Sequence, residues 1–235
     1  MNRNGKMVTN KILLAISDSE YQKIYPHLEF VDLPQRFSLH EPNKKMEFAY
    51  FLNRGLASII VSTHGGRDVE AGVVGYEGFI GTALAVHLFR SPLCEVMQIS
   101  GDGFRIKAAA LHASLRHTPD FQMRLSRNAV LEGMQVAQTA ACNRLHGIQQ
   151  RLARWLLMAE DRVKMAILPI THGFLATMLG TDRPSVSLAA EALQERKAIQ
   201  YSRGHLKILN RKKLEMSACE CYRAIEKLNG QLELA

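Results

Sequence analysis

An α+β fold is predicted: an N-terminal antiparallel β-roll, one long helix, and a C-terminal winged helix-turn-helix. Three observations predict it. Short apolar, strand-like runs alternate with glycines between Phe48 and Gly103. A Thr118-Pro119-Asp120 helix start opens a stretch with no further proline until Pro169. A second start at Thr171 leads to a glycine turn, another helix and a tight hairpin. Three segments follow: a roll over 1–117, the long helix over 118–145, and the helix-turn-helix domain over 146–235.

In the first segment, Ser19 and Gln22 have capping-box spacing, so a short helix is expected there, stopped by Pro26. Beyond Leu33-Pro34 the pattern turns to strands. Phe48–Leu52 runs to a turn signal at Asn53-Arg54-Gly55, Leu56–Val61 follows, and Gly65-Gly66 is a second turn. Further glycines at 72, 75, 78, 81, 101 and 103 keep the strands short and the corners tight. The segment contains neither a Gly-rich phosphate loop nor a dinucleotide fingerprint.

In the second segment, Thr118 caps, Pro119 occupies the first helical position and Asp120 faces the helix dipole. Met123, Val130, Met134, Ala137 and Ala141 recur at spacings of seven, four, three and four, an a/d seam of the kind that pairs helices. These five residues are the expected homodimer interface. Small side chains at Ala137, Ala140 and Ala141 would let two helices approach closely. The competing reading is a helix packed on its own domain. A joint to the next helix is expected at Cys142-Asn143-Arg144.

The third segment opens with an amphipathic helix marked by Leu152, Trp155, Leu156, Ala159 and Val163, with Arg151, Arg154, Asp161 and Arg162 toward its other face. Thr171 caps a helix over His172–Leu179. Asp182 caps a second over Arg183–Glu195, with Pro184 in its first turn. A helix-turn-helix needs a small residue where the helices cross, a residue tolerant of left-handed φ in the turn, and an apolar anchor beyond. Ala176, Gly180 and Val186 stand there, with Leu175, Leu179 and Ala189 completing the core. An ordinary αα-hairpin is the bland alternative. Against it, Ile199–Ser202, Arg203-Gly204 and His205–Leu209 read as a hairpin, a wing. Arg203, His205 and Lys207, with Arg211, Lys212 and Lys213 behind, form a basic cluster. One last helix is expected over Arg211–Lys227.

Composition narrows the function classes. The chain has 235 residues, 47% apolar and 22% charged, enough for a packed core. The formal charge of +8 favours polyanionic partners. No apolar run is long enough to span a bilayer and no signal peptide is evident, so a cytoplasmic protein without a membrane partner is expected. Cys94, Cys142, Cys219 and Cys221 are few, and Cys219-Glu220-Cys221 lacks zinc-knuckle spacing, so they are read as inert reduced thiols with no metal site. Neither a nucleophile–base constellation nor a metalloprotease motif is present, so an enzyme is not expected.

The chemistry therefore rests on the second helix of the motif and the wing. Double-stranded DNA is the expected partner. Thr171, Thr181, Asp182, Arg183, Pro184, Ser185, Ser187 and Leu188 lie at or near the groove-facing end, and Arg203 and Lys207 are placed to meet phosphates. Arg183 is the leading base reader, since a guanidinium donates two bonds to guanine O6 and N7. Leu188 suits a thymine methyl.

A glycine-punctuated roll, a long helix and a winged helix-turn-helix, in that order, resemble the Crp/Fnr family over nearly the whole chain. The specific pieces are Tyr50-Phe51-Leu52-Asn53-Arg54-Gly55, Ile99 through Arg105, and Thr171 through Leu193. The resemblance implies a cyclic-nucleotide-binding-like roll, a homodimer on a palindromic operator, and RNA polymerase as a partner. Glu77, Arg90 and Ser91 are its candidate effector residues. Tyr76 stands where the family's cyclic-nucleotide binders carry a glycine, and Pro92 follows the Arg-Ser pair, so the phosphate motif is incomplete. No cofactor is evident, and a cyclic nucleotide is the one ligand the resemblance offers. Pro184 and Leu188 replace a Glu and an Arg of the catabolite activator's recognition helix, so its target sequence does not transfer. No cysteine precedes Cys94, against an Fnr-type iron–sulfur cluster, and His64 and His87 do not suggest haem. The rival reading is a cyclic-nucleotide-binding module that acts through a protein partner.

Overall fold

The computed structural model describes residues 2–3 and 6–230. The chain divides into two compact units, residues 1–59 with 74–133 and residues 60–73 with 134–234. The units cut across the linear segments, because the tip of one β-hairpin belongs with the C-terminal residues.

The elements, in order, are β1 (Asn2–Arg3), β2 (Lys6–Met7), α1 (Lys11–Ala15), α2 (Asp18–Ile24), β3 (Leu28–Leu33), β4 (Ser38–His40), β5 (Phe48–Ser62), β6 (Asp68–Val74), β7 (Cys94–Lys107), α3 (Ala108–Leu115) and α4 (Pro119–Leu145). Then come α5 (Ile148–Val163), β8 (Ile167–Leu168), α6 (His172–Met178), α7 (Arg183–Glu195), β9 (Ile199–Ser202), β10 (His205–Ile208), α8 (Arg211–Ser217) and α9 (Cys221–Gly230).

In the first unit, β7 lies between β3 and β5, and β4 pairs with β7. Phe30 sits opposite Phe104 across the β3–β7 pair, their rings edge to face. One core gathers Phe51, Phe79, Phe104 and Phe121 with aliphatic residues of α1, α2 and α3. A second holds Leu33, Leu39, Leu52, Ile59 and Met97. Burial of such side chains is the main stabilising term of the unit.

Asn53-Arg54-Gly55 is no turn. It lies inside the continuous strand β5, just as Gly101-Asp102-Gly103 lies inside β7. The glycines serve close approach instead: a Cβ on Gly101 would meet the Arg54 carbonyl oxygen at 1.9 Å, and Gly55 has φ +94°. Arg54 is thereby brought onto Asp102, and its Nε donates to the carboxylate at 2.6 Å. Asn53 is buried and accepts the Thr9 N–H at 2.9 Å. The two family-like segments are thus one structural feature, a pair of strands clasped by glycine and an ion pair.

Two helix details also differ from expectation. The α2 cap is Ser17, whose hydroxyl accepts from Glu20 N–H, and Pro26 sits in a 3-10 turn after the helix. The joint after α4 lies at His146-Gly147, beyond Cys142–Arg144. Pro119 does open α4.

In the second unit, α5 buries Leu152, Trp155, Leu156 and Ala159, as its periodicity requires. Arg154 and Arg162 were expected on its polar face, yet both are buried. Arg162 Nη2 donates to Gln135 Oε1 at 3.0 Å and its Nη1 to the Met158 carbonyl, so the charge is held by hydrogen bonds. The Trp155 indole donates to Glu70 Oε1 at 2.6 Å, which ties the hairpin tip to α5. The expected single last helix is two, α8 and α9, broken at Ala218–Glu220.

Candidate nucleic-acid interface

The helix-turn-helix forms as the small-residue logic requires. Ala176, Leu175, Leu179, Val186 and Ala189 are all buried between α6 and α7. Gly180 takes φ +58° in the turn, where an L side chain is strained. The Thr171 hydroxyl accepts from the Phe174 N–H at 3.2 Å and caps α6. Asp182 caps α7: one oxygen accepts the Ser185 N–H at 2.8 Å and the other its hydroxyl at 3.0 Å. These bonds hold the Asp182 carboxyl below the usual carboxylate range.

What remains at the start of α7 is exposed. Arg183, Pro184 and Leu188 face solvent, Leu188 at 68%. Ser187 is partly committed: its hydroxyl donates to the Arg183 carbonyl at 3.0 Å and lies 3.0 Å from His172 Nδ1. His172 stacks on Tyr201 with ring centroids 3.9 Å apart. Burial first, and Arg183 second, hold its imidazole below its ordinary value. Thr181 and Asp182 line a cleft of about 830 Å³ with Ala176, Thr177 and the hairpin-tip residues Thr63, Arg67 and Val69.

The wing is β9 and β10, antiparallel, with Leu206 opposite Tyr201. Arg203 and Gly204 both have positive φ, the primed turn that suits a two-residue hairpin. Leu206 is buried while His205 and Lys207 alternate outward, and Arg203 is exposed at the tip. Arg211 does not join this basic cluster. Its guanidinium is held by Glu160, Asp161 and Glu215; burial works against its charge, but Asp161, Tyr222 and Glu160 outweigh it and raise its pKa. Lys212 remains exposed.

The candidate effector residues make hydrogen bonds within the first unit. Glu77 is buried and accepts the Gly75 N–H at 3.1 Å. Arg90 is exposed and donates to the Asn43 carbonyl at 2.7 Å. The Ser91 hydroxyl accepts the Leu93 N–H at 3.1 Å. On α4, all five seam residues are exposed, with Met123 at 67%, Val130 at 58% and Met134 at 48%.

One cluster escaped the sequence reading. Cys142, Cys219, Cys221 and His146 come together with their ligand atoms all within 4.8 Å of one another. Linear spacing hid it, because Cys142 and His146 sit at the end of α4 while the other two lie some 75 residues on. The i, i+4 relation of Cys142 and His146 was the available signal.

A capped helix with an exposed polar start, crossed over a second helix and flanked by a basic two-stranded wing, defines a winged helix-turn-helix DNA-binding protein. Residues 150–217 match the Crp-like helix-turn-helix domain. The fold is similar to that of a Crp/Fnr-family transcriptional regulator from Eubacterium rectale, at 15% identity over 90% of this chain and 97% of that one, with a TM-score of 0.69. FixK2 from Bradyrhizobium japonicum has 13% identity over 82% and 98%, TM-score 0.70. A CRP-family regulator from Thermus thermophilus has 19% identity over 80% and 96%, TM-score 0.65. No curated protein matches the chain. The chain thus carries a Crp-like helix-turn-helix domain over residues 150–217, and its fold is similar to that of Crp/Fnr-family regulators. Among the described residues, no helix is long and apolar enough to cross a membrane.

Proposed function

We propose that the chain acts in the cytoplasm as a homodimer on a palindromic duplex. The seam of α4 pairs two copies, and each copy lays the start of α7 into a major groove. The observation that carries this reading is the exposed Arg183–Leu188 face beside the exposed Arg203 and Lys207 of the wing. Arg183 reads a base edge, Leu188 meets a thymine methyl, and Arg203 and Lys207 hold phosphates. Thr171 and Asp182 act by capping, which positions the two helices. The two half-sites lie about 34 Å apart, one helical turn. RNA polymerase is the further partner that the family resemblance suggests, with regulation rather than catalysis as the outcome. Glu77, Arg90 and Ser91 remain the proposed contacts for an effector of the roll. The protein-docking alternative is not favoured, since a Crp-like helix-turn-helix domain covers residues 150–217.

Selection of bound sequences from a random duplex pool tests the proposal. The expected result is a two-fold symmetric consensus whose affinity falls steeply between low and physiological salt. Failure to enrich any duplex, or enrichment of an unrepeated single site, would refute it.

A further inference from the structure

The cluster at the end of α4 has the composition and the spacing of a metal site. Cys142 Sγ lies 3.5 Å from Cys219 Sγ, and Cys221 Sγ lies 3.6 Å from His146 Nδ1. Zinc bonds sulfur at about 2.3 Å and nitrogen at about 2.0–2.1 Å, so the edges of a tetrahedron around it are about 3.8 Å for S···S and about 3.6 Å for S···N. Both observed separations fall close to those edges. We propose that Cys142, Cys219 and Cys221 through Sγ, and His146 through Nδ1, form a mononuclear tetrahedral zinc site that clamps the end of α4 to the start of α9.

Three further observations support it. The imidazole is already oriented: His146 Nε2 lies 3.1 Å from Glu220 Oε1, which leaves Nδ1 toward Cys221. A carboxylate on the far nitrogen is the usual outer partner of a metal-bound histidine. All three cysteines are buried, so the site is closed, as structural zinc sites are. The third observation is a buried cation. Arg154 is 3% exposed, its Nη1 donates to Thr139 Oγ1 and to Met158 Sδ, each at 3.4 Å, and its Nε meets no acceptor among the described residues. A guanidinium so placed needs an anion nearby. Three thiolates, one neutral imidazole and one Zn²⁺ carry a net charge of −1.

The chemistry balances without a redox step. Each cysteine gives up its thiol proton to solvent as its sulfur bonds the metal, and the imidazole binds neutral. The short Cys142–Cys219 approach alone would also suit a disulfide, but a disulfide leaves Cys221 and the oriented imidazole without a role. An iron–sulfur cluster spreads its cysteines over several iron atoms, wider than four ligand atoms within 4.8 Å of one another.

The test does not depend on DNA binding. The full chain, kept reduced, is stripped with a chelator and titrated with Co²⁺, then with Zn²⁺. The expected result is one Co²⁺ per chain, with a thiolate-to-cobalt charge-transfer band and tetrahedral ligand-field bands, both lost on adding one equivalent of Zn²⁺. Cys221→Ser abolishes the charge-transfer intensity of that sulfur or weakens binding at least about tenfold, and Cys94→Ser leaves the titration unchanged. Glu220→Gln weakens binding by about tenfold, the usual loss for an outer partner. If a cysteine variant does not fold, the wild-type spectrum and stoichiometry decide alone. An octahedral cobalt spectrum, binding well below one ion per chain, or a Cys142–Cys219 disulfide in freshly isolated metal-free protein would overturn the proposal.

Discussion

Helices α4 and α5 both carry apolar residues at helical spacing, yet their fates are opposite. On α5, Leu152 and Leu156 are fully buried, Ala159 is 1% exposed and Trp155 is 2% exposed. On α4, Met123, Val130 and Met134 stand at 67%, 58% and 48% exposure. The covered stripe is core. The bare one, repeated over five positions, is left uncovered by the chain itself, and it is the stripe proposed above as the dimer seam. Period alone therefore says that a face is apolar. Only the fold says whether its own chain covers it.

The largest effect is expected on the covered stripe. Trp155→Ala removes a buried ring and leaves Glu70 without its indole donor, which costs about 3–5 kcal/mol. Urea unfolding followed by circular dichroism measures it. A loss below ~1 kcal/mol would show that α5 is not the core of its unit.

On the bare stripe the same kind of change should spare folding and break assembly. Val130→Glu with Met134→Glu puts like charges into the proposed seam, weakening the dimer by about 3 kcal/mol or more, roughly a hundredfold in Kd. Sedimentation velocity should show monomers with an unchanged urea midpoint. A dimer that persists would place the interface elsewhere.

Smaller effects test the proposed contacts to the duplex. Arg183→Ala should cost about 1–3 kcal/mol on the selected duplex and relax preference at one base position. Lys207→Ala should weaken all sequences alike and lower the salt slope by about 1. If Arg183→Ala leaves both affinity and preference intact, the base-reading role fails. Fluorescence anisotropy across a salt series separates the two.

A separate, pH-dependent effect concerns Glu132 on α4. Glu132 is pushed up to about 8, by burial first and by Glu95 second, with a Thr82 hydroxyl opposing. A carboxyl whose folded pKa is raised binds its proton more tightly in the native state. It contributes stability below its ordinary value near 4.5, which is lost as the pH rises toward 8. Glu132→Gln should flatten that decline in a series of urea midpoints from pH 5 to pH 8. An unchanged slope would mean that Glu132 does not titrate in that window.

Legibility in the sequence followed the range of the interactions. Asp182-Pro184 marks the start of α7 through bonds to its own neighbours, whereas at α4 the Thr118 hydroxyl donates to the Ser114 carbonyl and the distant Glu20 carboxylate accepts the Asp120 and Phe121 N–H groups. The helix-turn-helix was equally open, because Ala176, Gly180 and Val186 satisfy constraints set within a dozen residues. Asn53-Arg54-Gly55 misled for the opposite reason. Its glycine answers to Gly101 on another strand, which local turn chemistry does not register. Arg154 and Arg162 misled likewise, since a charge on a helix reads as exposed unless its distant surroundings are known.

By itself the amino-acid order determined the helix-turn-helix, the wing and which helix faces are apolar, because capping, periodicity and turn preference act within a few positions of the chain. Tertiary structure alone decided which apolar face stays bare, which arginines are buried, and that three cysteines and a histidine share one small volume. Those outcomes depend on contacts between residues far apart in sequence, where the chain's own folding, rather than its local preferences, sets the distances.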